Sequence, residues 1–236
     1  MMMKKVMHLS VFVAIVLLST MNLGGQSTAK ETRNVSGFTE IGFGIAGNLY
    51  VKIGPEFNVV IEGDKNYLSE IETIIRNNKL VIRNMNIRFF DNEKASVYIT
   101  LPELKGLGVS GSGVAKIESK LKADGLSLSV SGSGKIYASE INADQLDCSI
   151  SGSGDINLKE SGVVDKGSIS ISGSGSYSGE SVRYDKLHVG ISGSGNCTCN
   201  VSDDLEASIS GSGNVNYTGN PKINARVSGS GHVRSR

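Results

Sequence analysis

Five aspartates recur at one position of a repeated pattern: Asp124, Asp144, Asp165, Asp185 and Asp203 stand two residues before Leu126, Leu146, Gly167, Leu187 and Leu205. Carboxylate oxygens are the donors a hard cation takes, so such a column could be a cation-binding ladder. Carboxylates stacked about 5 Å apart also repel, by roughly 0.8 kcal/mol per neighbour even in water. The competing reading is a corner at which Asp accepts backbone N–H bonds and keeps its charge in solvent.

The second feature is the tetrapeptide Ser-Gly-Ser-Gly, which begins at Ser110, Ser131, Ser151, Ser172, Ser192, Ser210 and Ser228. A glycine loop can cradle phosphate when it opens a helix, but no helical pattern follows any copy. Calcium-binding glycine repeats need an acid after the glycines, and the residues here are Val114, Lys135, Asp155, Ser176, Asn196, Asn214 and His232. Only one is acidic. The tetrapeptide therefore reads as a bend, where glycine takes positive φ or lets backbones crowd, and where serine hydroxyls bond turn backbone or one another.

Cys148, Cys197 and Cys199 match no common zinc or redox spacing. On the repeat they fall in apolar columns, which predicts buried free thiols. A bridge between Cys148 and Cys197 would span two coils, about 10 Å at the strand spacing, beyond disulfide reach. His188 and His232 have no evident partner. A nucleophile triad and the HExxH pattern are both absent, so no catalytic residue, metal ligand or cofactor is assigned beyond the aspartate column.

The elements that position these residues are strands. The tetrapeptides are spaced 21, 20, 21, 20, 18 and 18 residues apart, the mark of a stacked repeat. Each is preceded by a β-branched aliphatic, from Val109, Val130 and Ile150 to Val227, and followed two residues on by an inward position such as Ile136 or Ile156. Alternation on both sides of a glycine corner is strand, turn, strand. Coils of about 20 residues stacked at roughly 4.8 Å would bring equivalent residues together. The predicted fold is all-β: a right-handed parallel β-helix of short coils over residues 105–236.

Residues 1–29 carry Lys4, Lys5 and the apolar run from Val11 to Leu18, which reads as a secretory signal peptide, with a mature start near Lys30. Residues 30–104 form a β-rich region predicted to cap or begin the solenoid. Strands are expected around Phe38 to Ile45, Leu49 to Ile53, Phe57 to Ile61, Glu72 to Ile75, Lys79 to Arg83 and Ser96 to Leu101. Asp64 caps a short helix whose apolar face holds Tyr67, Leu68 and Ile71. The turn at Arg76 to Asn78 joins two of the strands.

A net charge of +1 gives no basic field for nucleic acid. No later segment approaches the ~20 apolar residues of a membrane helix. With no Trp and 6% aromatic residues, no aromatic trough for sugars is evident.

From Phe38 through the tetrapeptide units to the run Gly211 to Pro221, the chain resembles the exported bacterial family called putative auto-transporter adhesin, head GIN domain. The resemblance implies a β-helical protein of the cell envelope and brings no catalytic residues. An exported, non-enzymatic binding or structural module follows as the expectation, at the periplasm, the outer-membrane periphery or the cell surface. The alternative is a polysaccharide-acting enzyme or glycan binder built on a β-helix. Expected partners are a glycan or an envelope or host surface protein, with a homodimer through the C-terminal end of the solenoid.

Overall fold

The computed structural model describes residues 28–85 and 94–236. Apart from Thr28 and Ala29, which begin a strand, the signal-peptide segment lies outside the described residues. The first part of the chain forms β1 (Thr28–Thr32), β2 (Glu40–Gly44), β3 (Gly47–Ile53), β4 (Asn58–Asp64), α1 (Lys65–Ser69), β5 (Ile71–Arg76), β6 (Lys79–Asn84) and β7 (Ala95–Leu101). Asp64 is the N-cap of α1, its carboxylate accepting from the Asn66 N–H. Tyr67 and Leu68 are buried as expected, but Ile71 belongs to β5 rather than to the helix face, because the helix ends at Ser69. Asn77 and Asn78 both have positive φ, 49° and 61°, the geometry of a two-residue hairpin turn that Asn tolerates.

The repeat region follows as β8 (Gly106–Gly111), β9 (Val114–Ile117), β10 (Leu121–Gly132), β11 (Lys135–Ala138), β12 (Ile141–Gly152), β13 (Asp155–Leu158), β14 (Gly162–Gly173), β15 (Ser176–Gly193), β16 (Asn196–Gly211), β17 (Asn214–Thr218), β18 (Lys222–Gly229) and β19 (His232–Ser235). These strands pair in parallel with like residues opposite one another: Val130 meets Ile150, Ser131 meets Ser151 and Gly132 meets Gly152. The chain is a β-solenoid in which seven glycine corners bound about six turns.

Each coil has three sides. Side A precedes the glycine corner and includes 126–131. Side B follows it and includes 135–138. Side C includes 121–123 and meets side A where Asp124 and Gly125 are both exposed. Inward residues form apolar columns, such as Leu107, Leu128, Cys148, Ile169, Val189 and Ala207, all buried. Each large inward side chain contributes about 1.5–3 kcal/mol by leaving water. The unequal repeat lengths are absorbed mainly at the corner between sides B and C, where β15 and β16 shift register between Gly179 and Arg183. One further shift falls between Tyr184 and Lys186, at the corner between sides C and A, while the glycine corners stay aligned.

The two glycines of each corner have different reasons. The first has positive φ, from 89° at Gly111 to 123° at Gly211. The second is buried against the coil below: a Cβ on Gly134 would lie 2.6 Å from Val109 Cγ1 and 2.8 Å from the Gly113 carbonyl oxygen. The corner's hydrogen bonds run through backbone. Ser133 N–H donates to Gly111 O and Ser153 N–H to Gly132 O, each at 2.9 Å. The serines of the corners, with hydroxyls expected to bond turn backbone or one another, are exposed to solvent.

Spatial order departs from chain order at the N-terminal end. The β2–β3 coil is sandwiched between β6–β7 on one flank and β8–β9 on the other. The outer flank of β6–β7 is covered by antiparallel strands, β5 on β6 and β4 on β7, with β1 added to β4. An outermost parallel coil would leave unpaired N–H and C=O groups, and these antiparallel strands satisfy them. At the other end β18 and β19 pair on one side only, with β16 and β17. There the inward positions open: Val227 is 43% exposed and Ile223 44%.

Candidate functional site

The aspartates predicted as a ladder lie along the corner between sides C and A. Asp124, Asp144 and Asp165 are exposed on three successive rungs and border a shallow depression with Lys122, Asn142 and Val163. The column then breaks. Asp185 accepts from Arg183 Nη1 at 2.7 Å and from Ser202 Oγ at 3.3 Å. Asp203 sits at a register shift, and its neighbour Asp204, not Asp203, pairs with Lys186, at 3.4 Å. Among the described residues no backbone N–H donates to Asp124, Asp144, Asp165 or Asp203, and no group of three or more His, Cys, Asp or Glu is placed to hold a metal ion. The five residues share a corner but do not converge.

Of the histidines, His188 faces Glu206 across one rung at 3.4 Å. His232 lies exposed in the last coil. Lys135 and Asp155 form a 2.7 Å pair on side B, and the hydrogen bond that Lys135 donates to Asp155 raises the Lys135 pKa above its ordinary value.

The cysteines are buried and unbridged. Burial pushes the Cys148 thiol up, and Cys197 is raised first by its contact with Cys199 and then by burial, so neither is a thiolate nucleophile at neutral pH. Beside them two phenols meet in the core: Tyr177 and Tyr184 share a short hydroxyl-to-hydroxyl hydrogen bond. Burial raises both pKa values well above 10. Room for the rings comes from two glycines in columns otherwise filled by larger residues. A Cβ on Gly167 would lie 2.5 Å from Tyr184 Cδ1, and one on Gly179 would lie 2.7 Å from Tyr177 Cε1. The exceptional Gly167 in the leucine column thus has a packing cause.

One surface constellation escaped the sequence reading, which found no aromatic lining. On side B, Tyr98, Tyr50, Lys116 and Tyr137 stand on consecutive rungs of one outward column. Tyr98 and Tyr50 stack with ring centroids 5.1 Å apart and planes 10° from parallel. Lys30 Nζ lies 5.8 Å from the Tyr98 centroid, Lys116 Nζ 5.3 Å from that of Tyr50, and Lys159 Nζ 4.7 Å from that of Tyr137. The repeat register alone places Lys116 and Tyr137 in one column. Tyr50 and Tyr98 join it only because of the changed spatial order near the cap.

These features define a class: a parallel β-solenoid of short, uniform coils, capped at one end by antiparallel strands, with its polar side chains on flat outer sides. The chain belongs to the family described as putative auto-transporter adhesin, head GIN domain, whose sequence profile matches residues 37–221. No curated protein matches it. Among solved structures it is similar to a putative adhesin from Bacteroides fragilis, at 23% identity and a TM-score of 0.83, covering 90% of this chain and 98% of that one. It is also similar to a putative adhesin from Parabacteroides distasonis, at 21% identity and a TM-score of 0.73, covering 89% and 97%. A putative lipid binding protein from the same species has a TM-score of 0.65 at 21% identity, covering 89% and 96%. At such identities the likeness is one of fold. No helix among the described residues is long and apolar enough to cross a membrane.

Proposed function

We propose that the protein is an exported module of the cell envelope that acts by surface contact, as an adhesin-like binding protein, and not by catalysis. The observation that carries this reading is the uniformity of the coils. Enzymes built on stacked coils need side chains that converge in a groove, usually from long, irregular loops. Here sides B and C are joined by two or three residues, as at Ser139–Glu140, or by a strand that runs on without a break, as in β15 and β16, and the outward residues lie on flat sides. On side A one outward column runs Gly108, Ser129, Ser149, Ser170, Gly190 and Ser208, small residues that rise little above the sheet. The adhesin descriptions of the family and of two structural neighbours support the same reading.

The test is a binding array of glycans and matrix proteins probed with the mature chain, beside a panel of glycosidic and ester substrates. Saturable binding with no turnover supports the module. Turnover of any polysaccharide, abolished by single substitutions, would replace it with the enzyme reading.

A further inference from the structure

The tyrosine and lysine column on side B has more in it than sheet stability requires. A cross-strand aromatic pair such as Tyr50 and Tyr98 stabilises a sheet without any ligand. Two lysines beside it are another matter. Lys30, Lys52, Lys120 and Lys135 each have a carboxylate within 4.0 Å, whereas Lys116 and Lys159 make no ion pair among the described residues. Both are exposed, and each is held over a tyrosine ring. Around Tyr137 the surface sinks into an open depression of about 530 Å³, whose lining includes Lys116, Glu118, Tyr137, Ser139, Lys159 and Glu160, with Ile117 and Ala138 at its floor. That volume falls in the roughly 300–1,000 Å³ range of small-ligand sites. Protein interfaces are depleted in lysine and glutamate, and four of the eight lining residues are of those two types. The lining therefore suits a ligand with an anionic group, hydroxyls and an apolar ring face, which is the chemistry of an acidic sugar.

We propose that this depression binds a uronate-bearing polysaccharide. The sugar carboxylate sits between Lys116 and Lys159, the pyranose ring packs on Tyr137, and Glu118, Glu160 and Ser139 bond its hydroxyls. The polymer continues along the column toward Tyr50 and Tyr98. The proposal rests on the binding-module reading and names its ligand class.

Calorimetric titration of the mature chain with oligogalacturonate tests it, with the methyl-esterified oligomer as the same backbone without charge and polyglutamate as charge without sugar. Oligogalacturonate is expected to bind, with the other two at least about tenfold weaker. The double variant Lys116→Gln with Lys159→Gln, and separately Tyr137→Ala, are expected to weaken binding by about tenfold or more, while Lys79→Gln on side A leaves it unchanged. Melting temperatures of all variants establish that each is folded. Equal affinity for polyglutamate, binding insensitive to the three side-B substitutions, or no binding to oligogalacturonate would each overturn the proposal. If the array finds another ligand while oligogalacturonate fails, the module reading stands and only this site falls. If a protein ligand depends on the same three residues, the glycan assignment is wrong.

Discussion

Gly125 and Gly134 lie at two corners of the same coil and illustrate how much depends on where a missing side chain sits. A methyl group at Gly134 would press on Val109 and on the Gly113 carbonyl, while one at Gly125 would meet nothing within 4 Å, and Gly125 has no positive φ. Gly134→Ala is expected to destabilise by about 1–3 kcal/mol through overpacking. Gly125→Ala is expected to stabilise by about 0.4–1 kcal/mol by restricting the unfolded chain. Urea denaturation of the two variants checks the contrast, and equal shifts would mean the corner is not packed as described. Tyr177 and Tyr184 give a pH signature. Their folded pKa values are raised by burial above the ordinary value near 10. Their contribution to stability is complete below about pH 10 and falls as pH climbs beyond it, because the unfolded chain then releases protons that the folded chain retains. In an alkaline titration followed by tyrosinate absorbance, these two phenols should ionise only as the protein unfolds. Their ionisation in step with the exposed tyrosines, in folded protein, would contradict the burial.

The strand is where register can be tested. Ile150 points inward and is buried, while Ser149 beside it points out between Ser129 and Ser170. Ile150→Asp should cost several kcal/mol, about 3 or more, by burying an unpaired charge. Ser149→Asp should stay within about 0.5 kcal/mol. The obvious exposed control, Lys135→Glu, is unsuitable because Lys135 pairs with Asp155 and the change would set two acids side by side. Comparable losses at Ile150 and Ser149 would refute the alternation. The aspartate corner makes a separate prediction. A cation held at 100 times its dissociation constant would stabilise the fold by about 2.7 kcal/mol, a shift of several degrees for a chain of this size. With Asp185 engaged by Arg183 and Ser202, melting temperatures in excess Ca²⁺ and in chelator are expected to agree to within about a degree. A rise of several degrees in Ca²⁺ would restore the ladder.

On the scale of the molecule the two ends differ. The N-terminal end is closed by β4, β5 and β1, whereas β18 and β19 present one unpaired edge and a half-open core. Such an edge templates pairing with another chain, and a two-fold pairing would satisfy both copies. Charge modifies the expectation. After Glu206 the chain has Lys222, Arg226, Arg234 and Arg236 and no acidic residue, although Arg236 meets Glu180. Two like ends repel, and salt screens that repulsion, so self-association should strengthen as ionic strength rises. Sedimentation at high micromolar concentration tests this. A strict monomer at every salt concentration, with amide exchange at Val227 to Val233 as slow as in mid-solenoid strands, would exclude pairing through this end.

Sequence by itself determined the coil. Glycine at positive φ, a β-branched residue before it and alternation on either side are local requirements repeated seven times, so the strands, the inward columns and the buried cysteines were legible without coordinates. The short helix start at Asp64 and the turn at Asn77 and Asn78 were legible for the same reason, since capping and positive φ are matters of adjacent residues. Only the tertiary structure decided which distant segments become neighbours. The β2–β3 coil lies between strands that follow it in the chain, and this order brings Tyr50 beside both Tyr98 and Lys116 although neither separation matches the repeat. It decided too that Gly167 and Gly179 exist for two tyrosine rings, and that the aspartate column breaks at Asp185. Each of these depends on the hydrogen-bonded pairing of strand edges, which is set by the fit of whole coils and leaves no periodic mark along the chain.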